Sequence, residues 1–206
     1  MSSSRAVVPF PVAVGLALAD HLTADPAVTV CLFGDGAFAE GEFHETANLA
    51  ALWRVPLLLL CENNLYAMGT PISHEHAQTD LALRAASYGL TSWSVDGMDV
   101  LAVRDATRSA VESIRGGGGP HFLELRTYRF RAHSMYDPDR YRDKAEIALW
   151  KERDPLATFG VALDPDVRAG LEAAVTEEID AAVAEADAGA LEPVGDLTRF
   201  LMTERM

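Results

Sequence analysis

The apolar positions of this chain fall into short unbroken runs, separated by stretches with helical spacing. Val28-Thr29-Val30-Cys31-Leu32-Phe33 and Pro56-Leu57-Leu58-Leu59-Leu60-Cys61 are the two strongest runs. Both read as strands, and the second is apolar without alternation, as expected for a strand covered on both faces of a parallel sheet. Between them, Glu40 to Trp53 reads as a helix. Phe43, Ala47, Ala50 and Ala51 share one face of it, and Glu40, Glu42 and Glu45 lie early, where the positive end of the helix dipole favours them. Ahead of the first run, Pro11 to Leu22 is apolar nearly all round, so a buried helix is expected there.

The same alternation continues downstream. A short helix from Thr79 or Asp80 to Tyr88 ends at Gly89, and a strand from Thr91 to Val95 leads into Gly97-Met98-Asp99. Asp99 can cap the next helix, in which Val103, Ala106, Ala110 and Ile114 recur at helical spacing. Gly116-Gly117-Gly118-Gly119-Pro120 stops it before a strand from His121 to Leu125. Because these glycines follow a helix and precede a strand, they read as a turn and not as a phosphate-binding loop. Arg126 to Asp143 is polar, without a period, and is expected to be an exposed functional loop. Asp164 to Ala188 is an Ala/Glu-rich helix with Pro165 in its first turn, and a tail to Met206 carries one short amphipathic turn at Leu197 to Met202. Alternating strands and helices define an α/β fold with an open, mostly parallel sheet covered by helices. The expected division is an α/β domain over 1–163 and a helical C-terminal tail over 164–206.

Charge narrows the partners. With 17 Lys and Arg against 31 Asp and Glu, the formal net charge is −14. That excludes nucleic acid and anionic membrane surfaces, which need clustered cations. It leaves room for an anionic ligand, because a bound divalent cation reverses the local field. No apolar run reaches the roughly 18 residues that span a bilayer. Pro9, Pro11 and Gly15 interrupt the stretch that would otherwise resemble a secretory signal. Cys31 and Cys61 both lie in strand-like runs and are expected as buried, reduced thiols, in keeping with a cytoplasmic location.

Candidate chemistry sits where the two strongest runs end. Gly34-Asp35-Gly36 follows the first and Asn63-Asn64 the second. Either fragment alone marks a turn or loop, but joined by one helix they place an acidic and an amide oxygen at adjacent carboxyl ends of a sheet, where ligands of open α/β folds bind. Mg²⁺ prefers six oxygens and takes few from protein, leaving the rest to phosphates and water. Asp35, Asn64 and the backbone carbonyl of Tyr66 supply such a set. Gly36 and Ala37 are small enough for their N–H groups to approach a diphosphate at a helix start. His44, His74, His76 and His121 read as structural or surface residues.

Gly34-Asp35-Gly36 to Asn63-Asn64 resembles the thiamine diphosphate motif. Phe43-His44-Glu45-Thr46-Ala47-Asn48-Leu49-Ala50-Ala51-Leu52-Trp53, Cys61-Glu62-Asn63-Asn64-Leu65-Tyr66-Ala67-Met68-Gly69-Thr70, Gly97-Met98-Asp99 and Tyr128-Arg129-Phe130-Arg131-Ala132-His133-Ser134-Met135 are similar to alpha subunits of the thiamine diphosphate-dependent pyruvate dehydrogenases, the 2-oxo acid dehydrogenase family. The resemblance covers essentially the whole chain. It implies Mg²⁺ on Asp35, Asn64 and the Tyr66 carbonyl, diphosphate contacts at Gly36 and Ala37, and His133 as the catalytic-loop histidine that reaches the diphosphate. Arg126, Arg129 and Arg131 stay open between surface charges and phosphate or lipoyl-domain contacts. Ser134 occupies the position phosphorylated in some eukaryotic members. The implied reaction is oxidative decarboxylation of pyruvate with acyl transfer to a lipoyl group. The implied partners are a beta subunit in a heterotetramer and the lipoyl domain of the acyltransferase component. Branched-chain 2-oxo acid and acetoin enzymes are the alternative substrate classes.

Two departures set further expectations. The family's alpha subunits begin well before the residues matching Phe10-Pro11-Val12-Ala13-Val14-Gly15, so the chain is expected to correspond to the C-terminal portion only. It would then act with a separate N-terminal half of the subunit, or be a truncated remnant, or be a non-catalytic interaction module. Ala132 also replaces a glycine usual before the loop histidine, a position expected to need a positive φ.

Overall fold

The computed structural model describes residues 9–199. Its elements are α1 (Pro9–Thr23), β1 (Thr29–Gly34), α2 (Asp35–Phe38), α3 (Gly41–Trp53), β2 (Leu57–Asn63), β3 (Tyr66–Ala67), β4 (Thr70–Pro71), α4 (Ile72–Glu75), α5 (Leu81–Ala86), β5 (Thr91–Asp96), α6 (Val100–Ser113), β6 (His121–Arg126), α7 (Lys144–Lys151), α8 (Pro155–Gly160) and α9 (Pro165–Ala188). Four strands form one sheet in the order β1-β2-β6-β5, all parallel. Leu57 to Cys61 are buried without alternation, as a central strand covered on both faces requires. This bears out the expected fold class.

The two faces of the sheet carry separate apolar clusters. On one, Cys31, Phe33, Leu57, Leu59, Cys61 and Phe122 meet residues of α1, α3 and α5. Phe43 is its centre, with ring centroids 4.0 Å from Phe38, 5.6 Å from Phe10, 5.8 Å from Phe33 and 6.0 Å from Phe122. On the other, Leu58, Leu60, Leu123 and Leu125 pack against Ala110 and Ile114 from α6 and the turn after it. Both cysteines are buried and unpaired, as expected; burial pushes the Cys31 thiol up to about 11 and the Cys61 thiol well above its ordinary value.

Local signals place most boundaries. Asp99 caps α6, its Oδ1 accepting from the N–H groups of Leu101 and Ala102 at 2.9 and 3.0 Å. Gly97 cannot be larger, because a Cβ there would lie 2.4 Å from the Thr127 methyl. The four-glycine run is a turn, with Gly117 and Gly119 at φ 84° and 77°. Helix α1 departs from expectation. It buries Phe10, Ala13, Val14 and Ala17, but Val12 and Leu16 are 52% and 56% exposed. Its buried side packs on β1, α3 and β2.

The chain divides into two compact units between Phe159 and Gly160. The second contains α9, whose N-cap Asp164 accepts from Asp166 N–H at 2.9 Å with Pro165 at the first helical position, and a 3₁₀ turn at Val194–Thr198. The expected turn at Leu197 to Met202 extends beyond the described residues, as does the Met1-to-Val8 part of the stretch weighed as a secretory signal. Among the described residues, no helix is long and apolar enough to cross a membrane.

Candidate metal and cofactor site

Strand β1 ends at Gly34, and the chain turns at once into the single-turn helix α2, so Asp35 is its first residue. Phe38, at the other end of that turn, is buried in the aromatic cluster and fixes α2 to the core. Asp35 is 1% exposed. Its Oδ1 accepts the Asn64 N–H at 3.3 Å, which ties the ends of β1 and β2 together. Its Oδ2 is buried with no hydrogen-bond partner. Burial raises the Asp35 carboxyl above its ordinary value, opposed by the Asn64 N–H and by the charge of Arg129. A buried carboxylate oxygen without a donor is costly in a fold unless a cation meets it.

The Asn pair divides its labour. Asn63 is structural: its amide donates to the fully buried Glu124 carboxylate at 2.6 Å, and its Oδ1 accepts the Leu65 N–H at 3.0 Å. Ser94 also donates to Glu124, on the side facing β5. Asn64 Oδ1 accepts the Tyr66 N–H at 3.2 Å and keeps a lone pair for a further ligand. Beyond it the chain makes the β3–β4 hairpin, flanked and turned by Leu65 and Met68 at φ 72° and 54°. Pro71 faces Tyr66 across the hairpin and has no N–H with which to claim the Tyr66 carbonyl. The hairpin also explains Gly36, since a Cβ there would lie 2.7 Å from the Ala67 Cβ. Asp35, Asn64 and Tyr66 are therefore brought together, with Gly36 and Ala37 beside them.

His133 lies exposed in the loop after β6. Its Nδ1 accepts from Arg129 at 3.0 Å, and the same guanidinium donates to the Met68 carbonyl at 2.7 Å and the Tyr141 hydroxyl at 2.8 Å. Arg129 thus ties the histidine loop to the hairpin that follows the Asn pair. Ala132 does not adopt a positive φ, so the backbone imposes no demand for glycine there. The expectation of an exposed loop fails at two residues, Tyr128 and Arg142, which are buried. Arg142 forms a double hydrogen bond to Asp139, both contacts at 2.7 Å, and its guanidinium lies 5.4 to 5.7 Å from the ring centroids of Tyr128, Tyr141 and Tyr66. Such a centre has no periodic signal, because it is built from polar and aromatic side chains converging from separate segments.

Asp137 supports this loop, accepting from the Tyr141 hydroxyl at 2.6 Å and the His133 N–H at 3.0 Å. The Tyr141 bond and the Asp139 N–H hold its carboxyl at about 2, below the ordinary 3.8. A depressed folded value stabilises the loop above the unfolded value and loses that effect as pH falls through the folded one. Backbone NMR signals of His133 and Asp139 should therefore move toward unstructured positions between about pH 4 and pH 2, with the β2 amides as the reference for the fold. Asp137→Asn should show the moved positions at every pH.

Among the described residues, no group of three or more His, Cys, Asp or Glu forms a metal cluster. One carboxylate, one amide and one backbone carbonyl suit a hard cation that takes its remaining oxygens from phosphate and water. Other histidines take part in local contacts, and His121 Nδ1 lies 3.0 Å from the Gly119 carbonyl. His44 Nδ1 lies 2.8 Å from the Tyr88 hydroxyl, and His76 is buried beside Asp35, with its ring nitrogens 3.2 Å from the Asp35 carbonyl and 2.6 Å from Arg84. No sequence signal marked the pairing of His76 with Arg84.

The fold is an open parallel α/β sheet in which Asp35 and Asn64 meet at the carboxyl ends of two adjacent strands. The chain matches the model of the dehydrogenase E1 component family over residues 2–193. It belongs to that family. It is 48% identical over 143 residues to the pyruvate dehydrogenase E1 component subunit alpha of Rhizobium meliloti, covering 69% of this chain and 41% of the relative. The corresponding subunit of Zymomonas mobilis is 46% identical over 147 residues, covering 71% and 42%. The type I mitochondrial subunit alpha of Ascaris suum is 40% identical over 193 residues, covering 89% and 48%. The chain thus spans about half or less of the length of these relatives.

Proposed function

We propose that this chain is the thiamine diphosphate-binding part of a pyruvate dehydrogenase alpha subunit, serving oxidative decarboxylation of pyruvate with acyl transfer to a lipoyl group. The observation that carries this is the buried Asp35 carboxylate, with one oxygen tied to Asn64 N–H and the other without a donor, in a chain of this family. Asp35, Asn64 and the Tyr66 carbonyl would hold Mg²⁺, and the Gly36 and Ala37 N–H groups would receive the diphosphate. His133 would donate from the loop that Arg129 ties down: because Arg129 can only donate, His133 Nδ1 accepts, and the neutral ring carries its proton on Nε2. When bound, thiamine diphosphate supplies the electron sink that a 2-oxo acid needs to lose carbon dioxide.

The names of the relatives favour pyruvate over branched-chain 2-oxo acids or acetoin, and the word alpha in them supports a beta subunit as partner. A lipoyl domain is the expected acyl acceptor. The α/β part over 1–163 is taken to carry the site and 164–206 to be its tail. Two unpaired, buried thiols suit a reducing cytoplasm. The experiment mixes the chain with a beta subunit, with and without a separately supplied first half of an alpha subunit. Calorimetry reads magnesium-dependent cofactor binding, and a dye acceptor reads pyruvate decarboxylation. Binding is expected in the mixtures, with turnover when the first half is present. Binding without turnover in every mixture would favour a non-catalytic module, and no magnesium-dependent binding would overturn the reading.

A further inference from the structure

We propose that His76, oriented by Arg84, is a positioning residue that holds the Asp35 turn from behind, a role that rests on the cofactor reading above. Arg84 Nη1 lies 2.6 Å from His76 Nδ1. A guanidinium has donors only, so Nδ1 accepts and the neutral ring carries its proton on Nε2. Nε2 lies 3.2 Å from the backbone carbonyl of Asp35 and donates to it. The ring is 3% exposed and meets Phe38 edge-on at 5.7 Å, while the Arg84 guanidinium lies over the Phe38 face at 4.9 Å.

These contacts grip α2 at both ends. His76 takes the carbonyl of its first residue, and Phe38, its last, is enclosed by His76 and Arg84. The turn needs such help. It is one turn long, and the bonds leaving it, Ala39 N–H to Gly36 and Glu40 N–H to Ala37, are both 3.2 Å and close the tighter three-residue spacing. A helical turn this short has no stability of its own, and Gly36 adds backbone freedom. A cation would draw on the Asp35 carboxylate and a diphosphate on the Gly36 and Ala37 N–H groups. The relay opposes both by fixing the peptide between them. Glu75 Oε2, 3.9 Å from Nε2, is the nearest competing acceptor for that proton.

The test uses the full chain, Mg²⁺ with thiamine diphosphate as the probe, and four variants. His76→Phe keeps the ring shape and removes both hydrogen bonds. His76→Gln restores an N–H near the Nε2 position. Arg84→Met keeps the stem and removes the donor, and Asp35→Asn controls for the site itself. Calorimetry well below each melting temperature should show His76→Phe and Arg84→Met weakened roughly 10- to 100-fold, the range of outer-shell partners of metal ligands. His76→Gln should recover most of that loss. A merely structural histidine would lower the melting temperature and leave affinity unchanged in the folded variants, which would overturn the proposal. Nitrogen-15 NMR of the parent should show His76 protonated on Nε2, and a proton on Nδ1 would equally overturn it. If Asp35→Asn loses binding while His76→Phe binds like the parent, the relay alone falls. If the parent and Asp35→Asn bind alike, the cofactor reading falls and the relay with it.

Discussion

Asp35→Asn should lose magnesium-dependent cofactor binding by at least about 100-fold, the upper end of what outer-shell changes cost, while the ligand-free chain melts no lower than the parent. The two effects have opposite signs because the proposed site gives Asp35 a cation to meet, while its buried charge does not serve the ligand-free fold. Its carboxylate is buried, one oxygen has no donor, and burial pushes its proton affinity up. In the ligand-free chain the charge is therefore a cost, which a neutral amide of the same shape relieves. The hydrogen bond that ties the side chain to β2 is the Oδ1 bond from Asn64 N–H, and an asparagine oxygen can accept it. Differential scanning calorimetry without ligand and titration calorimetry with Mg²⁺ and thiamine diphosphate read the two halves. A large drop in the ligand-free melting temperature would show that Asp35 is structural. Unchanged binding would remove it from the site.

Phe43→Ala should destabilise the chain by about 3–5 kcal/mol, as large-to-small changes at fully buried aromatic sites do, seen as a melting temperature lower by about 6–20 °C for a chain of this size. Phe43 is fully buried and touches aromatic rings from α1, β1, α2 and β6. Those elements cannot collapse into the void together, since each is held by the sheet. The ring that would move first is Phe38, 4.0 Å away, and it anchors the turn that carries Asp35. Cofactor affinity should therefore fall along with stability, whereas Asp35→Asn separates them. A melting temperature within 2 °C of the parent, well inside the shift expected for 1 kcal/mol, would mean that the cluster repacks.

The parts of this structure that could be read from the sequence are those written in local pattern. The unbroken run before Asn63 is a central strand because only a strand covered on both faces needs it. The run before Asp35 is instead an edge strand with Val30 and Leu32 exposed. Asp99 caps because its side chain is the right length three residues before Ala102. The hairpin at Tyr66 to Pro71 could not be read in this way. Leu65 and Met68 take the left-handed backbone conformation that glycine or asparagine would have signalled, and at Leu65 the Asn63 and Asn64 side chains hold the Leu65 and Tyr66 N–H groups in place. The burial of Arg142 among three tyrosines and the pairing of His76 with Arg84 likewise depend on segments far apart in sequence. Helix α1 misled for the opposite reason: its composition is apolar on all sides, but only one side is buried.

The order of the site residues along the chain has a consequence for how the protein is made. Asp35 and Asn64 come from β1 and β2, neighbouring strands joined by one helix, so their approach closes a short loop with little entropy lost. A chain emerging from the ribosome has synthesised Asp35, Asn64 and Tyr66, the three proposed oxygen ligands, before β5 and β6. Glu124, which clamps Asn63, and Arg129, which ties down His133, have not yet been translated. The residues proposed to hold the cation are thus made before the clamp on Asn63 and the tie on His133, which come only with β6 and the loop behind it.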